Sequence, residues 1–269
     1  MDKREAILRE LNMYPLWARR DRPASVVADA PVHVLAADEM SVPLATDVLA
    51  TIAPNPNPSQ PPLVRGGAGE QVDFPSDRRG LRGVGGLNWS ALKQRVRDCT
   101  ACQLRAGCTQ TVFGVGDEKA EWLFVGEWPG ADEDALGEPF VGQAGKLLDN
   151  MLAAIQLKRG KNVYIANIVK CRPPDNRNPA ADEIAQCLPY LERQIALIQP
   201  KLIVALGKVA SNALLGRDAT LASLRGTAHD FHGIPLIVTY HPAYLLRSPS
   251  EKAKAWQDLC LATDMMQKL

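Results

Sequence analysis

The sequence predicts an α/β fold, with a parallel sheet covered on both faces by helices. Three observations carry this expectation. Four short runs, WLFVG (122–126), VYIANIV (163–169), LIVALG (202–207) and IPLIVTY (234–240), are apolar at almost every position. A strand that is apolar on both sides has to be buried on both sides, as central parallel strands are. Between the runs lie stretches with helical spacing: AGKLLDNMLAAI (144–155), ADEIAQCLPYLERQIALI (181–198) and KVASNALLG (208–216). Strand alternating with helix is the pattern of parallel strands joined by crossovers.

The elements follow in order along 269 residues. Residues 3–13 set Ile7, Leu8 and Leu11 on one face and are stopped by Pro15, so 1–21 is expected to hold an amphipathic N-terminal helix. Residues 22–88 are rich in Pro, Gly, Ala and Val, with APNPNPSQPP (53–62) and RGGAGE (65–70) as linker text. Such a segment builds no core and is expected to be a largely disordered extension, either a spacer or a tail for a protein partner. Within it QVDFP (71–75) distantly resembles a sliding-clamp-binding peptide. Order is expected to resume near Leu87, and WSALKQRVRDC (89–99) has helical spacing at Leu92 and Val96.

Composition excludes some functions. No apolar run approaches the ~20 residues that span a bilayer. The N-terminus, MDKREAILRELNMYPLW, is charged throughout, unlike a secretory signal. A cytoplasmic protein with no membrane partner is the expectation. Lys and Arg number 31 against 30 Asp and Glu, so nucleic-acid contacts would need a local basic patch.

In open parallel sheets, ligands sit at the carboxyl ends of the strands. The first strand ends in GEWPGADEDALGEPFVGQAGK (126–146). Gly126 and Gly130 allow a close approach of backbone to ligand. Glu127 stands at the strand end, where a carboxylate can hold or activate water. Phe140 can stack on a flat ligand. The segment GQAGK opens a helix whose free N–H groups suit an anion, yet it lacks the spacing of a Walker A loop. Asp132, Asp134 and Glu138 read as surface or capping groups. Asn167 is a polar residue inside an apolar strand; its amide offers a donor and an acceptor that can read an imide edge such as uracil's. His241 follows the last strand directly, and Pro242 ends that strand. Beyond it, Tyr244, Leu245, Leu246 and Arg247 set apolar wedges beside a cation, which suits entry into a base stack.

All six cysteines lie after residue 98. In a cytosolic chain this clustering favours metal or redox use over disulfides. Cys99 and Cys102 form a C-x-x-C, joined much later by Cys171 and Cys187. Four thiolates suit zinc or a [4Fe–4S] cluster, and spacing alone leaves both open. Cys108 and Cys260 read as buried small hydrophobes.

Taken together, GEWPGADEDALGEPFVGQAGKLLD, NIVKCRPPDNRNP, HPAYLLRSP and the four cysteines resemble the iron–sulfur uracil-DNA glycosylases of family 4. The resemblance covers about residues 89–269 and implies a three-layer α/β/α sandwich with a four-stranded parallel sheet. It implies a [4Fe–4S] cluster on Cys99, Cys102, Cys171 and Cys187. It also implies an activity: a monomeric enzyme that flips uracil out of single- or double-stranded DNA and hydrolyses its N-glycosidic bond. By the same resemblance Glu127 places water, Glu133 sits beside uracil C5, Phe140 stacks on the base, Asn167 reads its edge, Gly126 lines the pocket and His241 donates to O2. Leu245 or Leu246 would fill the vacated stack, and Arg247 would hold phosphate. Trp128 departs from the small residue common in the family. A neighbouring branch traps uracil through a His after the second motif; DNRNP (175–179) has none. The alternative reading is a catalytically weak DNA-damage-binding module of the same fold. A zinc-stabilised nucleoside hydrolase and a glycosylase for another base complete the set.

Overall fold

The computed structural model describes residues 83–269. The expected N-terminal helix, the clamp-like peptide and all of the expected linker up to residue 82 lie outside the described residues. The first described residues, 83–86, form a turn. Asn88 then caps helix α1 (Trp89–Arg97), its Oδ1 accepting from Ala91 N at 3.0 Å. Such a cap stabilises a helix start by about 1 kcal/mol. Leu92 and Val96 are the buried positions of α1, as their spacing predicts.

Among the described residues the sheet has six strands: β1 (Val115–Gly116), β2 (Trp122–Gly126), β3 (Val163–Asn167), β4 (Leu202–Leu206), β5 (Ala228–Phe231) and β6 (Ile234–Thr239). Their spatial order is β1-β3-β2-β4-β6-β5. The four inner strands run parallel and are the four apolar runs; β1 and β5 add antiparallel edges. The expected four-stranded sheet is thus the centre of a six-stranded one. Neither edge strand carries an apolar run. β1 has only two residues, and β5 reads AHDF with a mostly exposed pattern. Short polar edges of this kind also resist unwanted strand pairing. β5 and β6 are joined by His232 and Gly233, both at positive φ (51° and 85°), the geometry of a two-residue hairpin turn.

Alternate residues of each inner strand enter separate cores. Leu123, Val125, Ile203, Ala205, Leu236 and Val238 pack in one layer with α1 and with α5 (Ala181–Ile198), α6 (Lys208–Leu215) and α7 (Leu221–Leu224). Phe124, Ile165, Val204, Leu206 and Ile237 pack in the other, with α4 (Gln143–Ala154), α8 (Pro242–Arg247) and α9 (Lys252–Met266). The result is a three-layer α/β/α sandwich. Two short helices, α2 (Leu104–Gly107) and α3 (Ala131–Leu136), lie in the loops. From β2 the chain goes to β3 on one side, then passes back to β4 on the other. That reversal opens a crevice at the carboxyl end of β2. Among the described residues no helix is long and apolar enough to cross a membrane.

Candidate active site

A cavity of about 780 Å³ lies at the carboxyl ends of the four parallel strands. Its wall includes Glu127, Glu133, Phe140, Asn167, His241 and Arg247. Six of the residues expected from sequence therefore share one space, although they come from three different strand ends.

Asn167 ends β3 and is 2% exposed. Its Oδ1 is buried and has no hydrogen-bond partner. A buried acceptor left unpaired costs about 1–3 kcal/mol, so one in a residue that lines a cavity points to a ligand donor. Gly126 does not line the cavity. It faces this amide, and a Cβ there would collide with Asn167 Oδ1 and with the Phe140 ring. Only glycine lets amide and ring meet.

Phe140 is buried and has φ of 57°, a left-handed conformation that is strained for an aromatic residue. Two features hold it there. Arg159 donates to Pro139 O at 2.8 Å and to Phe140 O at 2.8 Å, and is itself anchored on Asp149 at 3.0 Å. Gly145 leaves space for the Phe140 carbonyl, which any Cβ would strike. The Phe140 ring then lies 5.4 Å from that of His241, inclined by 29°.

His241 caps α8, its Nδ1 accepting from Ala243 N at 3.1 Å. With Nδ1 an acceptor, the proton of the neutral ring resides on Nε2. Burial, and then the Arg247 charge, lower its pKa to about 4. The ring is therefore neutral at physiological pH. Glu127 accepts from Val209 N at 3.0 Å, at the first turn of α6. Burial raises its pKa to about 7, against the opposing pull of that N–H and of Arg247.

Glu133 lines the cavity, yet its carboxylate also staples the loop. Oε2 accepts from Gly130 N at 3.0 Å, and Oε1 accepts from Val141 N at 2.9 Å and Gly142 N at 3.1 Å. Asp134, expected as a surface or capping group, is 5% exposed and accepts from Thr109 N at 2.9 Å. The expectation fails because a short helix in an acidic loop gives no periodicity from which to read its inward face. Leu245 needs the larger correction. It is 1% exposed and packed in the α4–α9 core, so it cannot enter a base stack. Leu246, one residue on, is 44% exposed. Trp128 borders the cavity while packing against the α5 core, so the indole bounds the space without filling it.

Beside the cavity, Tyr240 and Tyr244 stack at 5.1 Å. The guanidinium of Arg225 lies 4.4 Å over Tyr240 and pairs with buried Asp258 at 2.7 Å. Sequence reasoning missed Arg225, Arg159 and Asp258, which are distant in sequence from what they support.

The cysteines gather on the opposite side of β3. Cys99, Cys102, Cys171 and Cys187 all line one small cavity. Tyr190 OH donates to Cys99 Sγ at 3.2 Å, and Lys170 N donates to Cys187 Sγ at 3.2 Å. Such donors favour thiolate over thiol. Burial pushes Cys187 up to about 12 and raises Cys171 and Cys102 as well, so ionising these thiols requires a compensating positive charge. Among the described residues no three His, Cys, Asp or Glu groups are gathered closely enough for one metal ion. Four thiols lining one hollow are a donor set that suits a metal or an iron–sulfur cluster. Lys170 is buried beside them; burial lowers its pKa to about 8. A lysine in the apolar text NIVKC was the available signal for it.

Comparison with known proteins gives a consistent outcome. Residues 113–260 match the uracil DNA glycosylase superfamily. A type-4 uracil-DNA glycosylase of Archaeoglobus fulgidus is 44% identical over 164 residues, covering 58% of this chain and 82% of that protein. One of Thermotoga maritima is 43% identical, covering 61% and 85%, and one of Pyrobaculum aerophilum is 40% identical, covering 65% and 93%.

Proposed function

Since this chain belongs to the uracil DNA glycosylase superfamily, in its type-4 branch, we propose that three of its strand ends divide one reaction among them. The protein is a DNA-repair glycosylase that excises uracil from DNA. The division of labour follows from what that bond requires. The target nucleotide has to leave the duplex, at a cost of a few kcal/mol. Exposed Leu246 fills the gap left in the stack, with the Tyr240–Tyr244 pair and Arg247 beside it for neighbouring bases and phosphate. In the pocket Phe140 supports one face of the base. The unpaired Oδ1 of Asn167 accepts from uracil N3–H. Glu133 stands next to C5, where a thymine methyl would press on the loop that its carboxylate holds closed.

Uracil leaves with negative charge on N1 and O2, and the sugar becomes cationic. Neutral His241 then donates Nε2–H to O2. A contact of this oxyanion-hole type is worth roughly 3–4 kcal/mol. The imidazole donates without surrendering its proton, because its lowered pKa makes it a donor and not a store of charge. The carboxylate of Glu127 orients the attacking water and faces the cationic sugar.

The thiol group fits an iron–sulfur cluster. Cys99, Cys102, Cys171 and Cys187 would hold it as thiolates, and it would supply folding energy by tying α1, the β3 exit and α5 together. The four thiols pack in the α5 layer and Phe140 in the other, so the two sites flank the end of β3. We assign residues 89–269 to this glycosylase unit, acting as a cytoplasmic monomer, together with Val84, which is buried in its core, and Asn88, which caps its first helix.

The observation that carries the reading is the orphaned oxygen of Asn167, a residue that lines one cavity with Phe140 and His241. A uracil-release assay on oligonucleotides, run beside a visible spectrum, tests it. Asn167→Ala and His241→Ala are expected to lose about a hundredfold or more while remaining folded. Near wild-type rates in either variant would remove that residue from the mechanism. A colourless protein would remove the cluster.

A further inference from the structure

Lys170 is a buried cation that uracil release leaves unexplained. It is 1% exposed. Nζ donates to Asn167 O at 2.9 Å and to Gln194 Oε1 at 2.7 Å, and both acceptors are neutral. Gln194 is fully buried and held by its own donation to Phe113 O at 3.0 Å, so its oxygen stays aimed at the lysine. No carboxylate forms an ion pair with Lys170 among the described residues. Lys170 lines the same small cavity as Cys99, Cys102, Cys171 and Cys187. Its backbone N donates to Cys187 Sγ at 3.2 Å, and Cys171 is the next residue.

A lysine buried without an anion is costly, because the interior offers little to replace its hydration. Four thiolates around a cluster supply that anion. We propose that Lys170 is the internal counter-charge of the thiolate-bound cluster, with its bond to the Asn167 carbonyl tying that charge to the strand end that reads the base. This rests on the cluster reading given above. It explains why the cation is kept dry: water would screen the interaction. The potential of an iron–sulfur cluster follows the net charge and hydrogen bonding around it, so the role has a direct readout.

The test is the midpoint reduction potential of the cluster in the full-length holoprotein, alongside its visible absorbance. Lys170→Met removes the charge. Gln194→Glu leaves the lysine in place and sets a carboxylate against its Nζ. Both variants are expected to shift the potential in the negative direction, with the Gln194→Glu absorbance retained. A structural strut would move neither potential. If Lys170→Met fails to hold a cluster, Gln194→Glu decides, and a wild-type potential there overturns the proposal. Absence of visible absorbance from the wild-type protein would overturn the cluster reading itself, a failure distinguishable from an unmoved potential.

Discussion

Glu127 gives the sharpest test of the chemistry, because activity and stability should oppose each other at this residue. Burial lifts its pKa from 4.5 to about 7. If the carboxylate is the form that orients water, kcat/KM rises as this group ionises. The ionised fraction grows about tenfold between pH 6 and pH 8, and kcat/KM should follow, since it reports the pKa values of the free enzyme. His241 adds nothing to this limb, because its pKa of about 4 leaves the ring neutral throughout. Glu127→Gln should lie about two to four orders of magnitude lower and be flat across the window. Stability should run the other way. A carboxyl whose folded pKa exceeds its unfolded value contributes stability fully present below pH 4.5 and lost as pH rises through about 7. The loss is ~3 kcal/mol. Glu127→Gln is never charged, so it should melt like the wild type near pH 4 and above it at pH 8. The assays are uracil release under kcat/KM conditions and thermal unfolding, both against pH. A wild-type rate flat from pH 6 to 8, or a Gln variant that keeps the rise, would refute the reasoning.

Two further outcomes separate packing from function. Leu245→Ala should destabilise the fold by about 2–5 kcal/mol, as buried leucines do. Leu246→Ala should leave the melting temperature almost unchanged while slowing uracil release from double-stranded DNA more than from single-stranded DNA, a comparison made with one oligonucleotide and its duplex. Gly145→Ala should cost about a hundredfold in kcat/KM, because its Cβ displaces the Phe140 carbonyl and with it the stacking ring; retained activity would mean that the left-handed Phe140 is dispensable.

Much of this was legible in the sequence because burial on both faces writes apolar runs, and parallel strands gather their ends. The four inner strands are of this kind, and the loops after them converge as expected. What stayed hidden has physical reasons. The edge strands carry no apolar run, since one side of each faces solvent. Leu245 and Leu246 are chemically the same, and a six-residue helix is too short for periodicity to separate inward from outward. Arg159 supports Phe140 from nineteen residues away, and Asp258 supports Arg225 from thirty-three, with no local pattern at either position. Glu133 carried a family-derived place beside the base, but nothing in its spacing revealed the three backbone amides it also binds.

The cavity wall concentrates features that a fold selected for stability alone would remove. Phe140 holds a left-handed backbone, a strain of about 1–3 kcal/mol. Asn167 keeps a buried oxygen unpaired, at a similar cost. Glu127 buries a carboxyl that resists ionising. Each could be relieved by one substitution: glycine for Phe140, an apolar residue for Asn167, glutamine for Glu127. Here three meet in one space, and one ligand uses two of them, a flat imide that covers the ring the strained backbone presents and gives its N–H to the amide. The third is relieved only as cationic charge grows on the sugar. Binding therefore relieves the Asn167 cost and the transition state the Glu127 cost, which is the division a catalyst requires.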